Sequence, residues 1–237
     1  RQMCIRDRSG KTPMSVTVVF TDRVDAGRVL GPLVADALRE IGFRSAGEDR
    51  PPLIVVGLAR GGVPVGREVA NAVDAPLDVL VVRKIGAPDQ PEFAMGALAA
   101  GQVLITDDVP RRLGVSAEQL REIIGAENKL RVQRENTYRA GRQPISFSGR
   151  VVVLVDDGIA TGATMAVAVR AVRAAGAVGV VVAVPVAPRD AVHRFETDAS
   201  VDRVVCVDVP APFRAVGLSY HDFGEVADSE VVACLGA

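Results

Sequence analysis

Val151-Val152-Val153-Leu154-Val155-Asp156-Asp157-Gly158-Ile159-Ala160-Thr161-Gly162-Ala163-Thr164 is the stretch on which the reading of this 237-residue sequence turns. Its first five residues are β-branched or aliphatic without a polar interruption, the composition of a strand covered on both faces. The run stops at two adjacent carboxylates, Asp156 and Asp157, and a charge at the end of a buried strand is costly unless it has a task. Gly158, Gly162 and the small Ala160 and Ala163 then leave the backbone amides sterically open. From Met165 the pattern turns apolar and Ala-rich and reads as a helix to residue 175. Strand, acidic pair, amide-lined loop and helix N-terminus follow one another. The helix end and open amides favour a phosphate, whereas the carboxylates favour hydroxyl groups or a metal. A phosphate beside vicinal hydroxyls describes a ribose phosphate.

Other phosphate loops fit less well. A Walker loop needs a Lys after its glycine, and none stands between Asp156 and Arg170. A dinucleotide fingerprint needs Gly-x-Gly-x-x-Gly, which Gly158 to Gly162 does not supply. A receiver-type phosphoacceptor Asp leaves Thr161-Gly162-Ala163-Thr164 unexplained, and an ordinary surface turn leaves the two carboxylates so. Residues 152–164 do resemble the thirteen-residue signature of type I phosphoribosyltransferases: four hydrophobics, two acids, two variable positions, then small-Thr-Gly-small-Thr. That signature binds phosphoribosyl diphosphate (PRPP). The resemblance implies that Asp156 and Asp157 hold the ribose hydroxyls as catalytic residues and that Ala160, Thr161, Gly162, Ala163 and Thr164 wrap the 5′-phosphate. Members acting on 6-oxopurines usually carry an Asp before the Thr. Ala160 stands there instead, which argues against a hypoxanthine or guanine acceptor.

Composition sets outer bounds. Nearly half the residues are hydrophobic, and 28 basic against 29 acidic side chains leave a net charge of −1. That balance gives no general attraction to nucleic acid or to an anionic membrane, so neither is an expected partner. Cys4, Cys206 and Cys234 are odd in number and lack metal-ligand spacing, so the expected setting is a reducing cytoplasm. No apolar run approaches a membrane span. Residues 1–13 are basic and without periodicity; they read as a non-native extension, with Met14 as the native start. The expected organisation is one domain over residues 14–237, with a core over 53–208.

Along the chain, residues 16–20 form a short strand candidate and a helical pattern follows from Asp22, stopping at Gly42. Gly31-Pro32 is expected to kink that helix or mark its true start. Residues 53–58 read as the first core strand, run into Arg60-Gly61-Gly62, and precede a helix over 64–73. This repeats the logic of the signature, with open amides and a helix N-terminus but with a fixed positive charge. The position resembles the family's pyrophosphate loop, which makes Arg60, Gly61 and Gly62 pyrophosphate-binding candidates. Residues 77–82 read as the second core strand, ending in Arg83-Lys84. A turn-rich stretch to Phe93 follows, and then a hairpin over 94–106. Arg83 and Lys84 before that stretch resemble a flexible catalytic loop; on that reading they meet the pyrophosphate as charge builds on it and the loop closes over the site.

Residues 116–140 read as the longest helix, opened by a Ser116 and Gln119 capping box. Its basic run carries interspersed acids and little aromatic character, so it reads as a solvated or subunit-facing helix, compatible with a homodimer. Strands over 179–186 and 201–207 with a helix between them complete an α/β alternation. The fold expected is a doubly wound, mostly parallel sheet of the type I phosphoribosyltransferase kind, with ligand at the carboxyl ends of its strands. Residues 209–228 form an irregular hood candidate in which Phe213, Tyr220 and Phe223 are acceptor-binding candidates, before a terminal helix over 228–235. Together the motifs are similar to bacterial phosphoribosyltransferases with an unassigned acceptor. They imply Mg²⁺-dependent transfer of a 5-phosphoribosyl group from PRPP to a nitrogenous base, releasing pyrophosphate, with no firm protein ligand for the metal. The alternative is a regulator that senses PRPP without catalysis.

Overall fold

The computed structural model describes residues 18–43, 51–88, 90–106 and 108–236. The expectations for residues 1–13 and for Met14 lie outside them. Five parallel strands form the centre: β1 (Leu53–Leu58), β2 (Leu77–Leu80), β6 (Val151–Val155), β7 (Gly179–Val186) and β8 (Arg203–Asp208), in the order β2-β1-β6-β7-β8. A second, antiparallel sheet of β3 (Arg83–Ala87), β4 (Gln90–Ala99) and β5 (Gln102–Ile105) stands as an arm.

The period of two in each strand divides the core. Val151, Val153 and Val155 of β6 enter one apolar cluster with Val55, Val181 and Ala183, while Val152 and Leu154 enter another with Ile54, Val56 and Val182. Helices α1 (Arg23–Glu40), α2 (Gly62–Val73) and α7 (Asp228–Leu235) cover the first cluster. Helices α5 (Ala163–Ala174) and α6 (Arg189–Thr197) cover the second. Every β6 side chain is buried, each contributing about 1.5–3 kcal/mol, so the strand end that carries Asp156 is held firmly. The arm has its own small core, in which Ile85, Met95 and Leu98 pack against Leu120, Ile123 and Ile124 of α4 (Ala117–Arg139). A one-turn helix, α3 (Val109–Arg112), leads from the arm to α4.

Two expectations are corrected. The stretch from Arg83 to Phe93, read as a loop, supplies β3 and the start of β4; Ile85 and Met95 give the arm an apolar face that binds it to α4, and its strands pair antiparallel. Gly31-Pro32 neither starts nor interrupts α1, which runs through both. Gly31 is where α2 comes closest: a Cβ there would lie 2.6 Å from that of Ala72. The capping box of α4 is present as expected, with Ser116 and Gln119 bonding each other's backbone N–H.

Candidate active site

The strand order reverses between β1 and β6: the chain leaves β1 toward β2 on one side and builds outward from β6 on the other. In such sheets the crevice beyond the strands' carboxyl ends at this point takes the ligand. Gly57 of β1 pairs with Val155 of β6, which brings the 60–62 loop alongside Asp156 and Asp157.

The two loops touch. A Cβ on Gly61 would lie 2.0 Å from Oδ2 of Asp157, and one on Gly62 would lie 2.3 Å from the carbonyl oxygen of Val155. Only glycines permit this approach. The Ala59–Arg60 peptide bond beside them is cis. Gly61 also caps α2, with neither a side-chain capping bond nor an acid in the first turn. Helix α5 begins in the same way, at Gly162 with φ of 78° and no side-chain cap. Two helix N-termini capped by glycine therefore flank one acidic pair, with Thr161 Oγ1 accepting the Ala163 N–H of α5 only at 3.4 Å, a field suited to two anionic groups.

Asp156 accepts the backbone N–H of Asp157 at 2.9 Å, and Asp157 Oδ2 accepts Nε of Arg23 at 2.8 Å. Burial and the charge of Asp157 push the Asp156 carboxyl well above the ordinary carboxylate range, outweighing the backbone N–H and Arg23. Burial likewise raises Asp157, against the pull of Arg23. In the 160–164 loop Ala160, Thr161, Ala163 and Thr164 are exposed, and Arg194 donates to the Thr161 carbonyl at 2.6 Å.

The remaining sequence candidates lie in different settings. Arg60 is ion-paired with Glu225 and, at 3.4 Å, with Asp228, which also accepts the Tyr138 hydroxyl at 3.0 Å. Arg83 sits on the arm and pairs with Glu127 of α4 at 2.7 Å, lining with Lys84 a separate cleft of 360 Å³. Neither Arg83 nor Lys84 is brought to the acidic pair in this conformation. Tyr220 is buried between Phe20 and Phe223, at ring separations of 5.5 and 4.9 Å, and its hydroxyl donates to the Asp157 carbonyl. Phe213 packs, half-buried, on the cluster of Phe20 and Tyr220. Phe223 is 36% exposed.

Sequence reasoning missed Arg23, which comes from the first turn of α1, 134 residues from its partner. The one local signal is a cation at a helix N-terminus, where the macrodipole disfavours it. Among the described residues no group of three or more His, Cys, Asp or Glu is placed to hold a metal ion, and no helix is long and apolar enough to cross a membrane.

The chain is similar to known proteins in both sequence and structure. Residues 29–222 match the phosphoribosyl transferase domain, and the chain belongs to that family. Two curated sequences from strains of Mycobacterium tuberculosis, both provisionally named phosphoribosyl transferases, are 45% identical over 219 residues, 92% of this chain and 46% of theirs. The chain thus spans about half the length of the curated relatives it matches. The crystal structure of TT1426 from Thermus thermophilus is 41% identical, with a TM-score of 0.73 over 92% of this chain and 98% of that one.

Proposed function

We propose that this domain transfers a 5-phosphoribosyl group from PRPP to a nitrogenous acceptor and releases pyrophosphate. The observation that carries the reading is the meeting of the 60–62 loop with Asp156 and Asp157 between two helix N-termini whose cap residues are glycines. The donor has an anionic group at each end and a diol between them, and the site repeats that order. The 160–164 loop and the α5 N-terminus take the 5′-phosphate. Asp156 and Asp157 accept the ribose hydroxyls, and Gly61 and Gly62 with the α2 N-terminus take the diphosphate.

As the bond from the anomeric carbon to pyrophosphate breaks, its electron pair leaves with the pyrophosphate and positive charge gathers on the ribose. Ionised carboxylates at the diol stabilise the ribose, and Arg60 stabilises the leaving group once released from Glu225 and Asp228. The acceptor nitrogen then bonds to the anomeric carbon beside Phe223, and an N–H acceptor gives its proton to the released pyrophosphate or to water.

Mg²⁺ fits this site as a passenger of the substrate. Two carboxylates, one already ion-paired with Arg23, make no protein cage, so the ion would arrive with the diphosphate and take no firm ligand from the chain. When bound, it would neutralise charge on the pyrophosphate.

Calorimetric titration with PRPP and Mg²⁺ tests the assignment. The expected result is binding that falls at least about a hundredfold in the Asp156→Asn, Asp157→Asn double variant. Unchanged affinity would overturn the site. Exchange of labelled pyrophosphate into PRPP with a panel of bases tests turnover; binding with no exchange on any base would make the domain a PRPP sensor and overturn the enzyme reading.

A further inference from the structure

Arg23 does more than neutralise a neighbour. Its side chain is 12% exposed and makes three contacts in different directions. Nε donates to Asp157 at 2.8 Å, Nη1 donates to the Gly224 carbonyl at 2.7 Å, and the guanidinium lies 4.1 Å from the centre of the Phe223 ring. The first contact is to the diol-facing carboxylate and the other two are to the tail. That tail is laced to the segment before α1: Phe20 donates to the Ser219 carbonyl, His221 donates to that of Phe20, and Asp222 donates to that of Thr21. Tyr220 closes the ring through its hydroxyl on the Asp157 carbonyl. A planar guanidinium with several donors can serve both sides at once.

We propose that Arg23 is a positioning residue that couples docking of the tail around Phe223 and Gly224 to the orientation and charge of Asp157, so that the acceptor side and the ribose side of the site respond to each other. The inference rests on the PRPP-site reading. The charged and titratable groups around Asp157 are Asp156 from the β6 end, Arg23 from α1 and Tyr220 from the tail, with Asp22, Asp222, Glu225 and Glu230 lining the groove on the outer side of Arg23. Without Arg23 the Asp157 carboxyl takes up a proton at a higher pH, so ribose binding fails earlier as pH falls.

The test compares PRPP with plain pyrophosphate, which has no diol, by calorimetry across pH in wild type, Arg23→Gln and Arg23→Lys. Arg23→Gln is expected to bind PRPP roughly tenfold to a hundredfold more weakly, with the acid limb of its binding profile moved to higher pH and pyrophosphate affinity unchanged. Arg23→Lys keeps the charge but loses the planar fork that reaches Asp157 and Gly224 together, so its acid limb stays in place while PRPP binding weakens several-fold. Equal loss of both ligands in Arg23→Gln marks a purely structural residue and overturns the proposal, as does wild-type PRPP affinity with an unmoved acid limb. If Arg23→Gln does not fold, Arg23→Lys decides: several-fold weaker PRPP supports the coupling and wild-type affinity refutes it. Failure of the wild-type protein itself to bind PRPP removes the underlying site assignment, and the coupling with it.

Discussion

Two carboxylate clusters are built into the same sheet, on strands either side of β1, and they obey opposite charge rules. On β2, Asp78 is 1% exposed and is joined by Glu135, Arg131 and Arg139 of α4, two anions against two cations. Asp78 accepts Nε of Arg139 at 2.9 Å and the backbone N–H groups of Val79 and Ile145. Arg139 completes its fork on Glu135 and the Val79 carbonyl. Its charge is held so well that the guanidinium pKa rises despite the opposing effect of burial. At the end of β6, Asp156 and Asp157 share one arginine and keep their protons to higher pH than ordinary carboxylates. The balanced cluster fastens α4 to the sheet. The unbalanced pair is stable only at a cost, which a ligand bringing hydroxyl donors can offset.

The comparison is tested most severely at the balanced cluster. Arg139→Ala leaves Asp78 and Glu135 buried with too little positive charge, and is expected to destabilise the fold by about 3–5 kcal/mol in denaturant titration. A midpoint close to wild type would show that the β2 cluster is not a fastening and would break the contrast.

Asp156→Asn probes the opposite case. It removes one of two crowded charges while an amide oxygen can still accept the Asp157 N–H. Stability of the ligand-free protein near neutral pH is expected to rise by on the order of 1 kcal/mol, or about 2–4 °C in Tm. The pH dependence has a defined sign. Because the folded protein holds the Asp156 proton more tightly than the unfolded chain, this group's contribution is fully present below the unfolded carboxylate pKa. It is lost as pH rises through the higher folded value. Melts from acid to neutral pH should show that decline in the wild type and a flatter profile in Asp156→Asn; parallel profiles would remove the charge argument.

The smallest effect is expected at Arg60. Its contacts with Glu225 and Asp228 are exposed, and such pairs contribute about 0–1 kcal/mol. Glu225→Gln should therefore leave stability within roughly 0.5 kcal/mol of wild type while pyrophosphate binds a few-fold more tightly, as Arg60 is released. Unchanged pyrophosphate affinity in calorimetry would take Arg60 out of the diphosphate site.

Much of the fold was legible because its signals are local. Five apolar residues ending in Asp156, the Gly61-Gly62 pair after β1, and the Ser116 and Gln119 capping box each state their structure within a few positions. The arm was less legible. Its β3 and β4 strands include Gly86 and Pro91, turn-forming residues by composition, and are held by packing on α4 that no local pattern announces. Tyr220 and Phe223 were visible as aromatics in an irregular tail, but their division into a buried anchor and an exposed residue depends on Phe20 and Gly217, both remote from them in sequence or turned toward them only by the fold.

By itself the sequence determined the sheet and the acidic pair at the end of β6 with its small-residue loop, because strand burial and helix N-termini follow from hydrophobic period and residue size over short spans. The tertiary structure alone decided where each cation goes: Arg23 to Asp157, Arg60 to Glu225 and Asp228, Arg83 to Glu127. A long charged side chain can meet any carboxylate within its reach, and which one it finds is a property of the packed chain rather than of neighbouring residues.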